Sequence, residues 1–126
     1  MQGPDKGQDF VGGRIRAVRY VWRGMRMMLG QEHSFQTQTG LLVLSLVLGV
    51  YLHFSAVDWA LFVLAWGLIL TAETLNTAIE RLADKVEPAY DEQIRDVKDL
   101  AAGGVGWAAL AGLVVLLIII FQKIYT

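Results

Sequence analysis

The chain has 126 residues, enough for one domain, but 55% of them are hydrophobic and the mean hydropathy is +0.45, which makes an ordinary water-soluble globule a poor description. The 11 basic and 12 acidic residues sum to a net charge of −1, so their positions carry more information than their total. There are no cysteines, which excludes disulfides, thiol catalysis and a Cys-ligated metal.

The charges are unevenly spread along the chain. Between Glu32 and Glu73 the only charged residue is Asp58, and the stretch 100–122 contains none. A transmembrane helix needs about 20 mostly apolar residues. These stretches therefore predict an all-α membrane protein with a single integral-membrane domain over 1–126.

The first elements in chain order are a flexible N-terminus and a surface helix. Residues 1–12 are polar and rich in glycine, without the apolar core of a signal peptide. In 14–30, arginines and apolar residues recur at spacings of three and four, which predicts an amphipathic helix at the membrane interface. A soluble helix with a basic face is the alternative. Nucleic-acid binding is disfavoured, because no soluble domain accompanies the arginines.

Three transmembrane helices are predicted to follow, at 36–54, 57–86 and 100–121. Ser55 and Asp58, in the turn between the first two, are suited to cap the second helix. The second helix continues beyond its apolar part into the cytoplasm, and the segment 87–99 is predicted to be a charged loop. Small residues at the start of the third span allow close helix packing.

Basic residues predict the orientation. Six of the eleven precede the first span, and four lie between residues 81 and 98. By the positive-inside rule, the N-terminus and the 84–99 segment are expected in the cytoplasm. A nucleotide would therefore have access to the polar end of the second helix.

Four polar residues define a polar stripe on the second helix: Glu73, Asn76, Glu80 and Asp84, at spacings of three and four. Glu73 directly follows the apolar run, so it is expected to lie deepest, where desolvation suits a general base for a neutral hydroxyl. Glu80 and Asp84, nearer water, suit a hard divalent cation, whose ligands are oxygens. The alternative is that the stripe only joins helices by hydrogen bonds.

Two further positions each have two possible roles. Glu32, between the surface helix and the first span, is either a site residue or a solvated or capping carboxylate. Lys98, followed by Asp99, is either a snorkelling anchor or a cation for a phosphate. The sequence has no G-x-x-x-x-G-K-[ST] loop and no kinase glycine-rich loop, so a nucleotide would be bound by side chains from helices.

The run ETLNTAIERLAD at 73–84, followed fourteen residues after Asp84 by KDLAAGGV, resembles the prokaryotic diacylglycerol kinase family, which includes undecaprenol kinases. The pattern E-x-x-N-T/S-A-I-E-x-x-x-D with a downstream K-D is long and uncommon. The resemblance covers about 14 to 115, and its N-terminal part rests on matches in residue type and spacing at Tyr20, Trp22, Arg23, Gly24 and Glu32.

The resemblance implies a homotrimer with active sites shared between subunits, which transfers the γ-phosphate of MgATP to the hydroxyl of a membrane lipid. It implies that Glu73 is the general base, with Asn76 orienting within the motif, and that Glu32 and Glu80 bind Mg2+. The implied nucleotide contacts are Tyr20, Glu32, Glu80, Tyr90, Asp91, Lys98 and Asp99. The implied lipid contacts are Trp22, Glu73 and Ala102. Arg14, which matches a family arginine only after a one-residue shift, and Asp84 are further candidates.

The expected function is therefore an ATP-dependent lipid kinase of the bacterial inner membrane. The form KDLAAG, with Ala102 where the enterobacterial branch has a serine-containing segment, is closer to the undecaprenol kinase branch, so undecaprenol is slightly favoured over diacylglycerol. One rival is a small proton- or cation-coupled transporter that uses Glu73 and Glu80. A second is a non-catalytic membrane subunit in which the stripe only assembles helices.

Overall fold

The computed structural model describes residues 10–31 and 33–126, which form helices and short connections, without strands in these two ranges. The four helices are α1 (Phe10–Gln31), α2 (His33–Tyr51), α3 (Ala56–Val86) and α4 (Glu92–Tyr125). The all-α fold predicted from the sequence is thus confirmed. Most of the N-terminal segment predicted to be flexible lies outside the described residues, and α1 begins at Phe10.

Two compact units divide the chain, one up to Thr39 and the other Gly40–Thr126. The first contains α1 and the start of α2. On α1 the guanidinium of Arg14 lies 4.6 Å from the centre of the Phe10 ring, a cation–π distance. Most arginines of α1 are exposed, whereas Met28 on the same helix is buried. The interfacial position of α1 stays a prediction.

Two helices, α3 and α4, are each long and apolar enough to cross a membrane, with mean hydropathies of 1.6 and 2.6 in the qualifying stretch. A third span is counted only if the pair Phe10–Gly30 and Phe35–Tyr51 is taken together. The helix α2 does not qualify alone because its QTQT segment is polar. The continuous apolar run that remains is about 16 Å long, whereas the hydrocarbon core is about 30 Å thick. Three spans were expected, and by length and composition the described residues contain two or three.

The turn between α2 and α3 is defined by caps on both helices. Ser55 Oγ accepts a hydrogen bond from the Asp58 amide at 3.2 Å, and Asp58 Oδ2 accepts one from the Ser55 amide at 3.0 Å. This capping box confirms the predicted caps. His53 adopts a φ of 57°, and the amides of His53 and Phe54 donate to the carbonyls of Val50 and Gly49. These bonds form a Schellman motif that ends α2.

An aromatic cluster fills the space between the helices beside this turn. Phe54 and Phe62 are buried with Ile119 of α4, and Trp59 packs between the two phenylalanine rings at centroid distances of 5.2 and 5.3 Å. Gly49 lies directly against this cluster, because a Cβ built there would be 2.7 Å from the Trp59 indole. Position 49 therefore has no room for a side chain unless the indole shifts.

The charged segment after α3 is not a loop throughout, and the prediction for 87–99 is wrong in its second half. The helix α4 begins at Glu92, eight residues before the predicted third span. Asp91 supplies the reason, since its Oδ1 accepts hydrogen bonds from the amides of Gln93 at 2.9 Å and Ile94 at 3.0 Å. This N-cap satisfies donors that a helix end leaves open, so the polar residues that follow continue the helix.

Candidate active site

The polar stripe lies on α3, and its residues differ in exposure in the predicted order. Glu73 is only 8% exposed, Asn76 is half-buried, and Glu80 and Asp84 are exposed. Seven residues of helix separate Glu73 from Glu80, or about 10 Å along the axis. The stripe therefore runs from a buried carboxylate to carboxylates in contact with water.

Asn76 lies between the two glutamates and has an unused acceptor. Its Nδ2 donates a long hydrogen bond of 3.4 Å to Glu80 Oε1. Its Oδ1 is buried and has no hydrogen-bond partner among the described residues. Because an unsatisfied buried polar atom costs free energy, this oxygen is suited to accept a hydrogen bond from a bound molecule.

Lys98 of α4 is brought to the stripe by the packing of the two helices. Its Nζ lies 2.5 Å from Asp84 Oδ1, which is a charge-assisted hydrogen bond. Asp84 is one helical turn from Glu80, so the ammonium and the Glu80 carboxylate lie at the same end of the α3–α4 pair. A cation and an exposed carboxylate at one end of a helix pair are the kinds of group that bind a metal–phosphate ligand.

The connection before α4 contains two of the predicted nucleotide contacts. Tyr90 is exposed, and its hydroxyl accepts a hydrogen bond of 3.1 Å from Arg95 Nη1. Arg95 also lies 3.7 Å from Asp96. Asp91 uses Oδ1 for the α4 cap. Sequence reasoning missed this cap, although an Asp directly before a run of helix formers is the usual signal.

The remaining predicted site residues are distributed over both units or lie outside the described part. Tyr20, Trp22 and Arg14 are exposed residues of α1, in the first unit. Glu32 lies outside the described residues. Asp99 and Ala102 are exposed on α4, next to Lys98 and one turn beyond it. Within the second unit, the structure therefore brings Lys98 to the stripe, through its contact with Asp84.

The donor set at Glu80 fits a magnesium ion shared with phosphates. Within residues 10–31 and 33–126 no three acidic or histidine side chains converge on one point. Mg2+ does not need such a cage, because it keeps several waters and is usually held by one or two carboxylates plus substrate phosphates. Glu80 is exposed, and its Oε1 accepts a long hydrogen bond from Asn76, which leaves its carboxylate accessible to a hard cation.

The opposite end of the α3–α4 pair carries a second charged group, which we call the capped end: Ser55, Asp58 and Lys123. Lys123 Nζ lies 3.1 Å from Asp58 Oδ2, and the Asp58 side chain is 9% exposed. Sequence reasoning assigned Asp58 a cap but missed Lys123. Asp58 interrupts one charge-free stretch and Lys123 directly follows the other, but helical periodicity does not give the register that pairs them.

Comparison with known proteins supports the resemblance over most of the chain. The sequence profile of the family described as prokaryotic diacylglycerol kinase matches residues 19–120. A Synechocystis protein named diacylglycerol kinase is 34% identical over 100 residues, 79% of this chain and 57% of the relative. The Escherichia coli K12 diacylglycerol kinase is 26% identical over 86% of this chain and 88% of its own length. The Bacillus subtilis undecaprenol kinase is 28% identical over 87% and 86%, respectively.

The matched region contains every predicted site residue except Arg14. The chain spans a little over half of the Synechocystis relative but most of the other two.

Proposed function

The chain belongs to the prokaryotic diacylglycerol kinase family, a family of lipid kinases, and we propose that it transfers the γ-phosphate of ATP to the hydroxyl of a membrane lipid alcohol. One observation carries this proposal: the antiparallel α3–α4 pair places a buried carboxylate, an exposed carboxylate and an ammonium at one polar end of two apolar helices. A water-soluble phosphoryl donor and an acceptor in the bilayer meet at such an end.

Glu73 is the proposed general base. Its side chain is buried, directly after the apolar part of α3, where the hydroxyl of a lipid would approach. It accepts the hydroxyl proton while the oxygen attacks the γ-phosphorus, and the bond to the β-phosphate oxygen breaks. Asn76, one turn along, orients the hydroxyl oxygen by donating the Nδ2 hydrogen that Glu80 does not use, since the single hydroxyl proton goes to Glu73. Trp22 and Ala102 are the further proposed lipid contacts.

The phosphate end of the nucleotide is proposed to lie against Glu80 and Lys98. Glu80, together with Glu32, would hold Mg2+, which supplies neutralisation of the phosphate charge when it is bound. Lys98 donates to phosphate oxygens, because its ammonium contacts the stripe at Asp84. Tyr20, Tyr90, Asp91 and Asp99 are the proposed contacts to the rest of the nucleotide.

The assembly and orientation belong to the same proposal. The apolar helices and the family indicate a bacterial membrane protein. The ten basic residues that lie before residue 99 support a cytoplasmic N-terminus and active site. A homotrimer with sites shared between subunits follows from the family resemblance. Many apolar side chains of α2–α4 are exposed in the single chain, which provides surface for lipid and for further copies.

The identity of the lipid is tested by offering both acceptors to one preparation. Purified protein in mixed micelles receives ATP labelled in the γ-phosphate, Mg2+, and either undecaprenol or diacylglycerol. We expect a labelled lipid phosphate, with the higher kcat/KM for undecaprenol. Labelling only of diacylglycerol would reverse the acceptor assignment. If neither lipid is labelled and the protein moves ions without consuming ATP, the transporter rival replaces the kinase.

A further inference from the structure

The contact between Asp84 and Lys98 links the two helices that form the candidate site. The 2.5 Å bond joins residues fourteen positions apart, one near the end of α3 and one in the first turns of α4. The Lys98 side chain is 37% exposed and that of Asp84 is 62% exposed. Lysine has a four-carbon stem with many rotamers, so a fixed partner determines where its ammonium lies.

This ion pair contributes little to holding the helices together. Exposed pairs stabilise proteins weakly, because solvent screens them and both side chains lose freedom. The same two helices also pack through Phe62, Ile69, Gly112 and Ile119, and they are joined by Asp58 and Lys123 at the capped end. The main consequence of the Asp84–Lys98 contact is therefore the direction of the Lys98 side chain.

The ammonium keeps the capacity to bind a phosphate while it contacts Asp84. A lysine has three N–H donors, and Asp84 Oδ1 accepts one of them. Asp84 also lies one turn beyond Glu80 on α3, so the ammonium is held at the end of α3 that carries the carboxylate proposed to bind the metal. Phosphate oxygens near Glu80 would then be reached without breaking the ion pair.

We propose that Asp84 is a positioning residue: it holds the Lys98 ammonium in the direction from which it binds the phosphates of ATP. This inference rests on the proposed function, and it assigns Asp84 to the lysine instead of to the metal. Asp84 acts through Lys98 alone, so removing the carboxylate weakens nucleotide binding and leaves the lipid side of the site unchanged.

The test measures MgATP affinity by equilibrium binding, together with the KM values for ATP and lipid, in three variants. Asp84→Asn is expected to raise the Kd and the KM for MgATP about two- to fivefold, the range for losing one exposed ion pair, with the lipid KM unchanged. Asp84→Glu, which keeps the charge, restores most of the affinity. Asp96→Asn is the matched control, because Asp96 is an exposed aspartate of similar accessibility paired with Arg95 and not with Lys98.

A double-mutant cycle decides how Asp84 acts. If it works through Lys98, Asp84→Asn has no further effect on MgATP affinity in a Lys98→Met background. An equal effect in both backgrounds overturns the proposal, and so does unchanged or tighter MgATP binding by Asp84→Asn. Thermal unfolding of each variant shows that the folded protein is being compared.

The two proposals fail in different ways. One outcome is that the cycle shows coupling between Asp84 and Lys98 in MgATP binding while the wild-type protein labels no lipid. That outcome contradicts the proposed kinase function and leaves the positioning role intact. A protein that labels lipid normally but shows additive effects in the cycle contradicts the positioning role alone.

Discussion

The two ends of the α3–α4 pair use charge for different purposes. At the capped end, Asp58 is almost fully buried, and both the Ser55 amide and the Lys123 ammonium donate to its carboxylate. At the polar stripe, Glu80 and Asp84 are exposed and Asn76 Oδ1 has no partner among the described residues. Polar groups whose hydrogen bonds and ion pairs are made inside the chain stabilise the fold. Groups that can still accept or donate hydrogen bonds are available to a ligand.

This comparison predicts that changes at the stripe affect chemistry first. Glu80→Gln keeps the size and the contact with Asn76 but removes the charge proposed to hold Mg2+. We expect the rate of lipid phosphorylation to fall by at least about 100-fold at fixed Mg2+, because a metal contributes several kcal/mol to phosphoryl transfer. The check is initial rate against Mg2+ concentration. Glu92→Gln, an exposed glutamate in the first turn of α4, is the matched control and should behave as wild type.

Changes at the capped end should affect stability and not chemistry. Lys123→Met keeps an apolar stem of similar length but leaves the buried Asp58 carboxylate without its cation. Loss of one partner of a buried pair is strongly destabilising, so the Tm should fall by several degrees. The kcat per folded molecule should stay within twofold of wild type. A large fall in kcat with an unchanged Tm would mean that the capped end takes part in the reaction.

Close packing near the capped end gives a smaller effect of the same kind. Gly49→Ala places a methyl group 2.7 Å from the Trp59 indole, which must shift. We expect a loss of about 1–3 kcal/mol in the free energy of unfolding, the usual cost of overpacking. Gly67→Ala on α3 is the control, because nothing lies within 4 Å of its Cβ, and it should be neutral or slightly stabilising. Equal destabilisation by both changes would contradict the packing at Gly49.

The smallest expected effect concerns the backbone of the turn. His53 has a φ of 57°, in the left-handed region that favours glycine. His53→Gly should therefore stabilise the protein by up to about 1 kcal/mol, measured as an increase in the denaturant midpoint. A decrease would show that the His53 side chain makes a contact worth more than the strain of its backbone.

Local patterns in the sequence predicted part of this structure. The second span was expected at 57–86 and α3 covers Ala56–Val86, because its ends are set by short-range signals, the Ser55–Asp58 box and Pro88. The start of α4 was missed because charged residues were interpreted as a loop, although they are good helix formers after an N-cap.

Contacts distant in sequence could not be obtained in this way. The pairs Asp84–Lys98 and Asp58–Lys123 depend on how α3 and α4 pack, and helical periodicity gives the face of one helix but not the register of two. The order of exposure along the polar stripe was predictable from the end of the apolar run. The roles of its residues stay predictions, and the position of Glu32 lies outside the described residues.

If the buried Glu73 performs the chemistry while the capped end maintains the fold, changes at the two places should separate activity from stability. The initial rate of γ-phosphate transfer to lipid is compared for wild type, Glu73→Gln and Lys123→Met, each normalised to folded protein. We expect a loss of about 100-fold or more for Glu73→Gln, because a general base is removed, with an unchanged oligomer, and a near-normal rate for Lys123→Met. A rate for Glu73→Gln within a few-fold of wild type would contradict the role of Glu73 as the general base.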